Sequence, residues 1–428
     1  MNVIEIVSLN GNKYIYNCKY NIVQSKSQYN EEELDEMAKR YFTQRPQISK
    51  DAFMNDNTQE QYLGLCLVMT DQCNFRCSYC INSSEYNFSK GYSNCNISID
   101  TIDKALELYV TNYKKSLEWN PKNRFSITFY GGEPLLQYDK ICYTIEKVKK
   151  YYKILDAQYT ITTNGYLLTE DKVKYLIDNN VYINVSIDGY EEIHDLNRKT
   201  IDNKPTFAKV VYNFMNAKAI APSNMLGILI TMDYQVSPIK MYEFFLENRD
   251  LDESIIRVNT VSGINTNYHK KYFPYKNYME EMKTLLHEYL KANTNVKFVD
   301  ELFRFKLASI SNKLQFSDKT CAICSPLKSK LTVSVEGNLH ICEKINQNYS
   351  IGNVESGIDK EVAYGYYENL CNIRKEKCAN CSIKNLCDIC YAILNTDGSR
   401  FTLDKNFCKN QIEEIKLLLT YYCTTLDL

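Results

Sequence analysis

The sequence has almost no histidine. His194, His269, His287 and His340 are the four in 428 residues, and none is paired with another at metal-ligand spacing. A mixed Cys/His zinc inventory is therefore excluded. There is no surplus of charge either: 51 basic residues face 52 acidic ones, for a net charge of −1. A chain so balanced has no field to draw nucleic acid or an anionic membrane, and neither is expected as a partner. Runs such as Lys147, Lys149, Lys150 and Lys153 read as a solvated helix face. No apolar stretch approaches the ~20 residues of a membrane span, and residues 1–10 show no basic leader followed by an apolar core. A cytoplasmic protein is expected. No internal repeat of fixed period is present.

What the chain has in excess is cysteine, 17 in all. Cytosolic thiols stay reduced, so many of them point to metal ligation or catalysis before disulfides. With histidine so scarce, the metal chemistry must be mostly thiolate. A hydrophobic content of 44% is ordinary and allows a sizeable core. At this length, a barrel with appendages fits better than one average domain.

Residues 1–60 open with alternating stretches at 3–9 and 13–18 around the turn Asn10-Gly11-Asn12, which predicts a hairpin. A charged helical stretch over 31–41 completes a hairpin-plus-helix module. From about Tyr62, strand-length runs at 63–69, 125–130, 158–163, 182–187, 225–231 and 255–259 alternate with helical patterns. One such pattern is Ile102, Ala105, Leu106, Tyr109 and Tyr113; another is Val173, Leu176 and Ile177. The fold class is thus α/β: a partial (β/α)6 TIM-like barrel over 61–315, its parallel strands joined by right-handed crossovers. Its chemistry belongs at the C-terminal strand ends. Residues 316–428 are cysteine-dense and turn-rich, and read as a small domain folded around metal.

Directly after the first barrel strand comes Cys73-Asn74-Phe75-Arg76-Cys77-Ser78-Tyr79-Cys80. Three thiolates can hold three irons of a four-iron cluster, leaving the fourth iron open for a chelating substrate. The amino and carboxylate groups of a methionine fit that iron and bring the sulfonium beside it. One electron from the cluster then cleaves a carbon–sulfur bond, while the protein orients the reactants and excludes water. The bland alternative is an incomplete zinc site or three unrelated buried thiols.

This stretch resembles the radical S-adenosylmethionine superfamily, whose C-x3-C-x-aromatic-C signature is matched by Cys73, Cys77, Tyr79 and Cys80. The resemblance runs from about Gly64 to Cys408 and leaves the N-terminal module outside. It implies a 4Fe-4S cluster on Cys73, Cys77 and Cys80, with S-adenosylmethionine bound nearby and Tyr79 among the cofactor-binding residues. Tyr130-Gly131-Gly132-Glu133-Pro134 looks like the family's Gly-Gly-Glu-Pro element, which binds the methionyl ammonium. Glycines let backbone carbonyls approach a cation, and Glu133 adds a negative charge. Thr163-Asn164-Gly165 ends the third strand. Ser186-Ile187-Asp188-Gly189, followed by His194-Asp195-Leu196-Asn197-Arg198, resembles the peptide-modifying branch. That likeness gives Ser186 and Arg198 contacts to the cofactor's ribose or carboxylate, and a guanidinium fork suits a carboxylate. For His194 and Asp195, bracing a helix start is the simpler role.

Farther on, Cys321-x2-Cys324 precedes Gly337-x4-Cys342, and then Cys378-x2-Cys381-x5-Cys387-x2-Cys390 precedes Cys408. Eight thiolates suffice for two fully ligated four-iron clusters, although C-x2-C pairs serve zinc ribbons equally well. The pattern resembles the SPASM domain of peptide-maturing radical enzymes. It departs in having two residues, Asp388 and Ile389, where three usually precede the penultimate cysteine. The family's interleaved arrangement implies an inner cluster on Cys321, Cys324, Cys342 and Cys390, and an outer one on Cys378, Cys381, Cys387 and Cys408. Glu343 follows an inner ligand where sulfatase-maturating relatives carry a basic Asp, which makes it a candidate catalytic base; pairing with Lys344 or another surface lysine is the plainer role. Cys18, Cys66, Cys95, Cys142, Cys371 and Cys423 are left as ordinary thiols.

The resemblance implies three 4Fe-4S clusters, S-adenosylmethionine and a one-electron reductant such as flavodoxin or ferredoxin. The expected activity is a peptide maturase that abstracts hydrogen from a ribosomally made precursor and forms a cross-link, a cysteine thioether being the commonest. The N-terminal module would then bind the precursor's leader, or simply cap the barrel. The alternatives are an anaerobic sulfatase-maturating enzyme, which makes formylglycine, and an iron–sulfur electron carrier, which needs no Gly-Gly-Glu-Pro element.

Overall fold

The computed structural model describes residues 3–41, 43–45, 47–55, 64–83, 85, 91–261, 276–291, 295–314, 317–319, 330–344, 349–391, 394–396, 401–403 and 405–427. Cys321 and Cys324 lie outside them.

The expected hairpin is β1 (Val3–Val7) against β2 (Lys13–Asn17), antiparallel, with Val3 opposite Asn17. A third strand, β3 (Ile22–Ser25), pairs with β2 and was not foreseen. All four of its residues are half-buried, so it carries no in-out alternation to read. Helix Glu31–Tyr41 begins with Glu31, Glu32 and Glu33 and ends with Lys39 and Arg40, charges that suit its dipole at both ends. A short β4 (Thr43–Arg45) and helix Lys50–Asn55 follow.

Six parallel strands form the barrel in chain order: β5 (Gly64–Val68), β6 (Ser126–Tyr130), β7 (Gln158–Thr163), β8 (Val181–Ser186), β9 (Leu226–Met232) and β10 (Ile255–Thr260). Every expected strand is present, with ends shifted by a residue or so. Parallel neighbours need crossovers, and helices such as Ile99–Trp119 supply them. Ser98 caps that helix, its Oγ accepting from the Thr101 N–H at 2.9 Å. Ile102, Ala105, Leu106, Tyr109 and Tyr113 turn one buried face to the sheet. Strand alternation then divides the sheet's two faces. Leu65, Leu67, Ile127, Phe129, Ile183, Val185, Ile228 and Ile230 join the core under the helices. Cys66, Tyr130, Ser186 and Thr231 occupy the opposite, lumen-facing positions.

The sheet does not stop where the barrel was expected to end. After β11 (Ser317–Lys319), β12 (Lys330–Val333) lies parallel beside β5 and β13 (Leu339–His340) antiparallel beside β12. The segment read as a separate cysteine-rich domain thus contributes two strands to the barrel sheet, because Leu331 and Val333 are buried there like barrel residues. β11 pairs with β4 of the N-terminal module.

That module also shares a small core with the other end of the chain. Ile6, Tyr14, Tyr16 and Cys18 pack with Ile383, Leu386, Ile415 and Leu419. Asn385 Nδ2 donates to the Cys18 carbonyl at 2.9 Å, and the Cys18 thiol donates to the Cys381 carbonyl at 3.4 Å.

Candidate functional site

The ligand loop leaves β5 and pairs with a distant segment. Arg76 N–H donates to Lys199 O at 2.8 Å, Ser78 N–H donates to Asn197 O at 3.0 Å, and Phe75 bridges Thr200. This pairing carries Arg198 to the three cysteines. The Gly-Gly-Glu turn is strapped to the same loop, with Gly132 N–H on Thr70 O and Glu133 N–H on Gln72 O, both 2.8 Å. Its glycines are required by that approach: a Cβ on Gly131 would meet Thr70 O at 2.5 Å, and one on Gly132 would meet Gln72 O at 2.0 Å. Gly131 also has φ +139°, a region that side chains avoid.

Glu133 is buried, and its carboxylate is engaged by the protein. Oε1 accepts from Leu135 N–H at 3.0 Å and Thr163 Oγ1 at 2.7 Å; Oε2 accepts from Asn164 N–H at 2.8 Å. Desolvation nevertheless raises its pKa. Its side chain ties the second strand end to the third.

Asp188 is the hub that sequence reasoning left without a role. Its Oδ2 accepts from Arg198 Nε at 2.7 Å and from the Tyr79 hydroxyl, and its Oδ1 accepts from Thr231 N–H at 3.0 Å. All three side chains are buried. The Arg198 guanidinium also lies 5.5 Å from the Tyr79 ring centroid. Burial works against the Arg198 charge, but Asp188 beside it holds the guanidinium firmly protonated. His194 and Asp195 act as braces. His194 Nδ1 accepts from Asp188 N–H at 3.3 Å, and Asp195 Oδ1 caps helix Phe207–Ile220 by accepting from Thr206 and Phe207 N–H.

Three of the motif thiols accept backbone hydrogen bonds. Cys73, Cys80 and Cys342 each accept a backbone N–H from two residues onward (Phe75, Asn82 and Lys344), all at 3.4 Å. Asn164 Nδ2 adds a 3.9 Å approach to Cys73. Donors aimed at sulfur stabilise thiolate and tune bound metal. Cys18 donates, and the Cys342 thiol donates as well, to Glu343 Oε2 at 3.6 Å. Burial pushes the Cys73 thiol up to about 12, and burial followed by Glu343 does the same for Cys342.

Cys390 lies close enough to Cys342 to raise its thiol further. Cys378 is flanked by Cys381 and Cys408, and Cys387 by Cys378 and Cys381. Two residues before Cys390 instead of three therefore do not carry it away from Cys342. Arg374, with no motif to announce it, braces this loop through Nη2 on Lys384 O at 2.8 Å and Nη1 on Cys387 O at 3.3 Å. A tetrahedral zinc with 2.3 Å bonds would draw its sulfurs to about 3.8 Å apart. Among the described residues, no three cysteine sulfurs lie within 4.8 Å of one another.

Glu343 has a lysine partner, which is Lys330 rather than Lys344. Lys330 of β12 reaches its Oε1 at 3.4 Å, and only 15% of the Glu343 side chain is exposed. Tyr130, facing the lumen, lies within the fields of both Glu343 and Cys80. The first cysteine motif, the Gly-Gly-Glu turn, Ser186 and Arg198 thus gather at one end of the barrel, with Glu343 and Cys342 at its added strands.

Residues 67–236 match the radical SAM superfamily model, and this part of the chain is a radical SAM domain. A cysteine-type anaerobic sulfatase-maturating enzyme of Clostridium novyi (strain NT) is 26% identical over 376 residues, which is 83% of this chain and 96% of the relative. The radical SAM cyclopropyl synthase TigE of Paramaledivibacter caminithermalis is 25% identical over 363 residues, 82% of this chain and 72% of the relative. Among solved structures, native anSMEcpe with bound AdoMet and Cp18Cys peptide superposes with a TM-score of 0.60 at 19% identity, covering 85% of this chain and 99% of that one. Streptococcus suis SuiB bound to its precursor peptide SuiA gives 0.51 at 16% identity, covering 88% and 81%. At these identities the structural likeness establishes the fold. No helix among the described residues is long and apolar enough to cross a membrane.

Proposed function

We propose that this chain is a radical SAM peptide maturase of the SPASM type, with three 4Fe-4S clusters. Cys73, Cys77 and Cys80 hold the first; Cys321, Cys324, Cys342 and Cys390 hold the second; Cys378, Cys381, Cys387 and Cys408 hold the third. When bound and reduced by a flavodoxin or ferredoxin, the first cluster with S-adenosylmethionine supplies a 5′-deoxyadenosyl radical. The chain's own residues orient that cofactor. Gly131 and Gly132 present carbonyls to its ammonium, Arg198 presents a guanidinium to its carboxylate, and Ser186 and Tyr79 line its other sides. Glu343, held by Lys330, takes the proton that cross-link formation releases.

The observation carrying the peptide reading is the N-terminal sheet. Three short antiparallel strands with β1 and β3 at the edges offer a template for an added strand, which is how the leader of a precursor would dock. The C. novyi sulfatase-maturating relative uses 96% of its own length to cover 83% of this chain, so about a sixth of this chain has no counterpart in it. The same relative supports the second reading, formylglycine formation on a sulfatase.

The test is anaerobic co-expression with a cysteine-containing precursor and, separately, with a sulfatase-derived peptide. Loss of two hydrogens per cross-link, with a cysteine blocked to alkylation, supports the thioether. An aldehyde at a Cys or Ser of the sulfatase peptide supports the alternative and rejects the first reading.

A further inference from the structure

Asn385 is no part of a cysteine motif, yet it sits inside one, between Cys381 and Cys387. Its side chain is buried and turns to the N-terminal module, where Nδ2 donates to the Cys18 carbonyl at 2.9 Å. Cys18 answers from the same spot, its thiol donating to the Cys381 carbonyl at 3.4 Å. One residue just past β2 thus grips the loop at two points, next to one cysteine and directly at another. A second grip runs through Lys313. The Tyr16 hydroxyl donates to Asn21 Oδ1 at 3.0 Å, and Asn21 Nδ2 donates to the Lys313 carbonyl. Lys313 Nζ then donates to Leu386 O at 3.1 Å. The loop's apolar side chains need the module as well, because Ile383 and Leu386 bury in the core that Ile6 and Tyr16 help to form. Cys381 and Cys387 pack against that same core. Cys378, Cys381, Cys387 and Cys408 are free thiols, none of them fully exposed, a donor set that fits a four-iron cluster.

We propose that Asn385 and Cys18 are positioning residues for the third cluster: they hold the loop carrying Cys381 and Cys387 in place, so that the N-terminal module completes that cluster's site. Contacts behind a ligand orient it and tune the metal, and their loss commonly weakens metal binding tenfold or more. Here the contacts come from a segment 367 positions away in the chain. The module is therefore required at the cluster, whatever else it docks. The inference rests on the reading above that Cys381 and Cys387 are ligands of the third cluster.

The experiment is an EPR-monitored redox titration of the reconstituted holoenzyme, with the rate of iron loss to a chelator measured alongside. The third cluster's signal is the one that Cys408→Ala removes; the first cluster's is the one that S-adenosylmethionine perturbs. In Asn385→Ala the third signal should shift in midpoint and its iron leave roughly tenfold faster, while the first signal stays as in the wild type and reports an intact barrel. Cys18→Ala should change the third cluster in the same direction. Cys18→Ser keeps a donor toward the Cys381 carbonyl and should restore wild-type behaviour, so this pair decides the question even if Asn385→Ala does not fold. A third cluster with wild-type midpoint and iron-loss rate in Cys18→Ala and in folded Asn385→Ala overturns the proposal, as does equal damage from Cys18→Ser and Cys18→Ala. If Cys408→Ala removes no signal from the wild-type set, the ligand assignment beneath the proposal is what fails.

Discussion

Asp188 and Arg198 form a buried ion pair, Oδ2 to Nε at 2.7 Å, with side chains 1% and 9% exposed. Breaking such a pair leaves a charge without its partner in a dry site, which costs far more than a surface pair. Asp188 also takes the Tyr79 hydroxyl, so one carboxylate orients two residues proposed to line the cofactor. Asp188→Asn keeps the shape and removes the charge. S-adenosylmethionine affinity, measured by calorimetry on the holoenzyme, is expected to fall roughly tenfold or more, in line with a charged hydrogen bond. Iron content should be unchanged. Wild-type affinity in that variant would show that Arg198 needs no counter-charge to bind.

Anaerobic reconstitution should give about 12 irons per chain, and Cys73→Ala/Cys77→Ala/Cys80→Ala should give about 8 with no 5′-deoxyadenosine. Elemental analysis and chromatography read both quantities. Four irons accompanied by zinc would remove the two auxiliary clusters and spare the barrel.

Glu343→Gln keeps the contact with Lys330 and removes basicity. 5′-Deoxyadenosine should still form while modified peptide falls by roughly a hundredfold. Mass spectrometry of the peptide alongside the nucleoside separates the two steps. Full modification by this variant would reduce Glu343 to a partner of Lys330.

His194 is fully buried, and desolvation lowers its pKa to about 4. Its Nδ1 accepts from Asp188 N–H, so its proton sits on Nε2, toward Thr206 Oγ1 at 3.2 Å. Because the folded-state value lies below the unfolded one, near 6.5, the unfolded chain binds the extra proton first as pH falls. Stability is complete above pH 6.5 and is lost toward pH 4, by up to about 3 kcal/mol. Chemical denaturation at pH 7.5 and 5.5 should therefore show a drop of about 1 kcal/mol that His194→Gln flattens. Equal pH dependence in both proteins would place the acid sensitivity elsewhere.

Local pattern determined much of this molecule. The six barrel strands, the capped helices between them and the N-terminal hairpin are set by short-range alternation and turn chemistry, which a linear sequence displays directly. The cysteine motifs are legible for the same reason: a ligand loop's spacing is a local property. Tertiary structure decided what depends on distant partners. β12 and β13 join the barrel because Leu331 and Val333 find a buried place beside β5, a choice four residues cannot announce. Asp188 gained its role only when the loop pairing of residues 75–78 with 197–200 brought Arg198 and Tyr79 to it. The N-terminal module reads as an appendage, yet Asn385 donates to the Cys18 carbonyl across 367 positions. Burial sets the energy of each such contact, and burial is a property of the assembled chain.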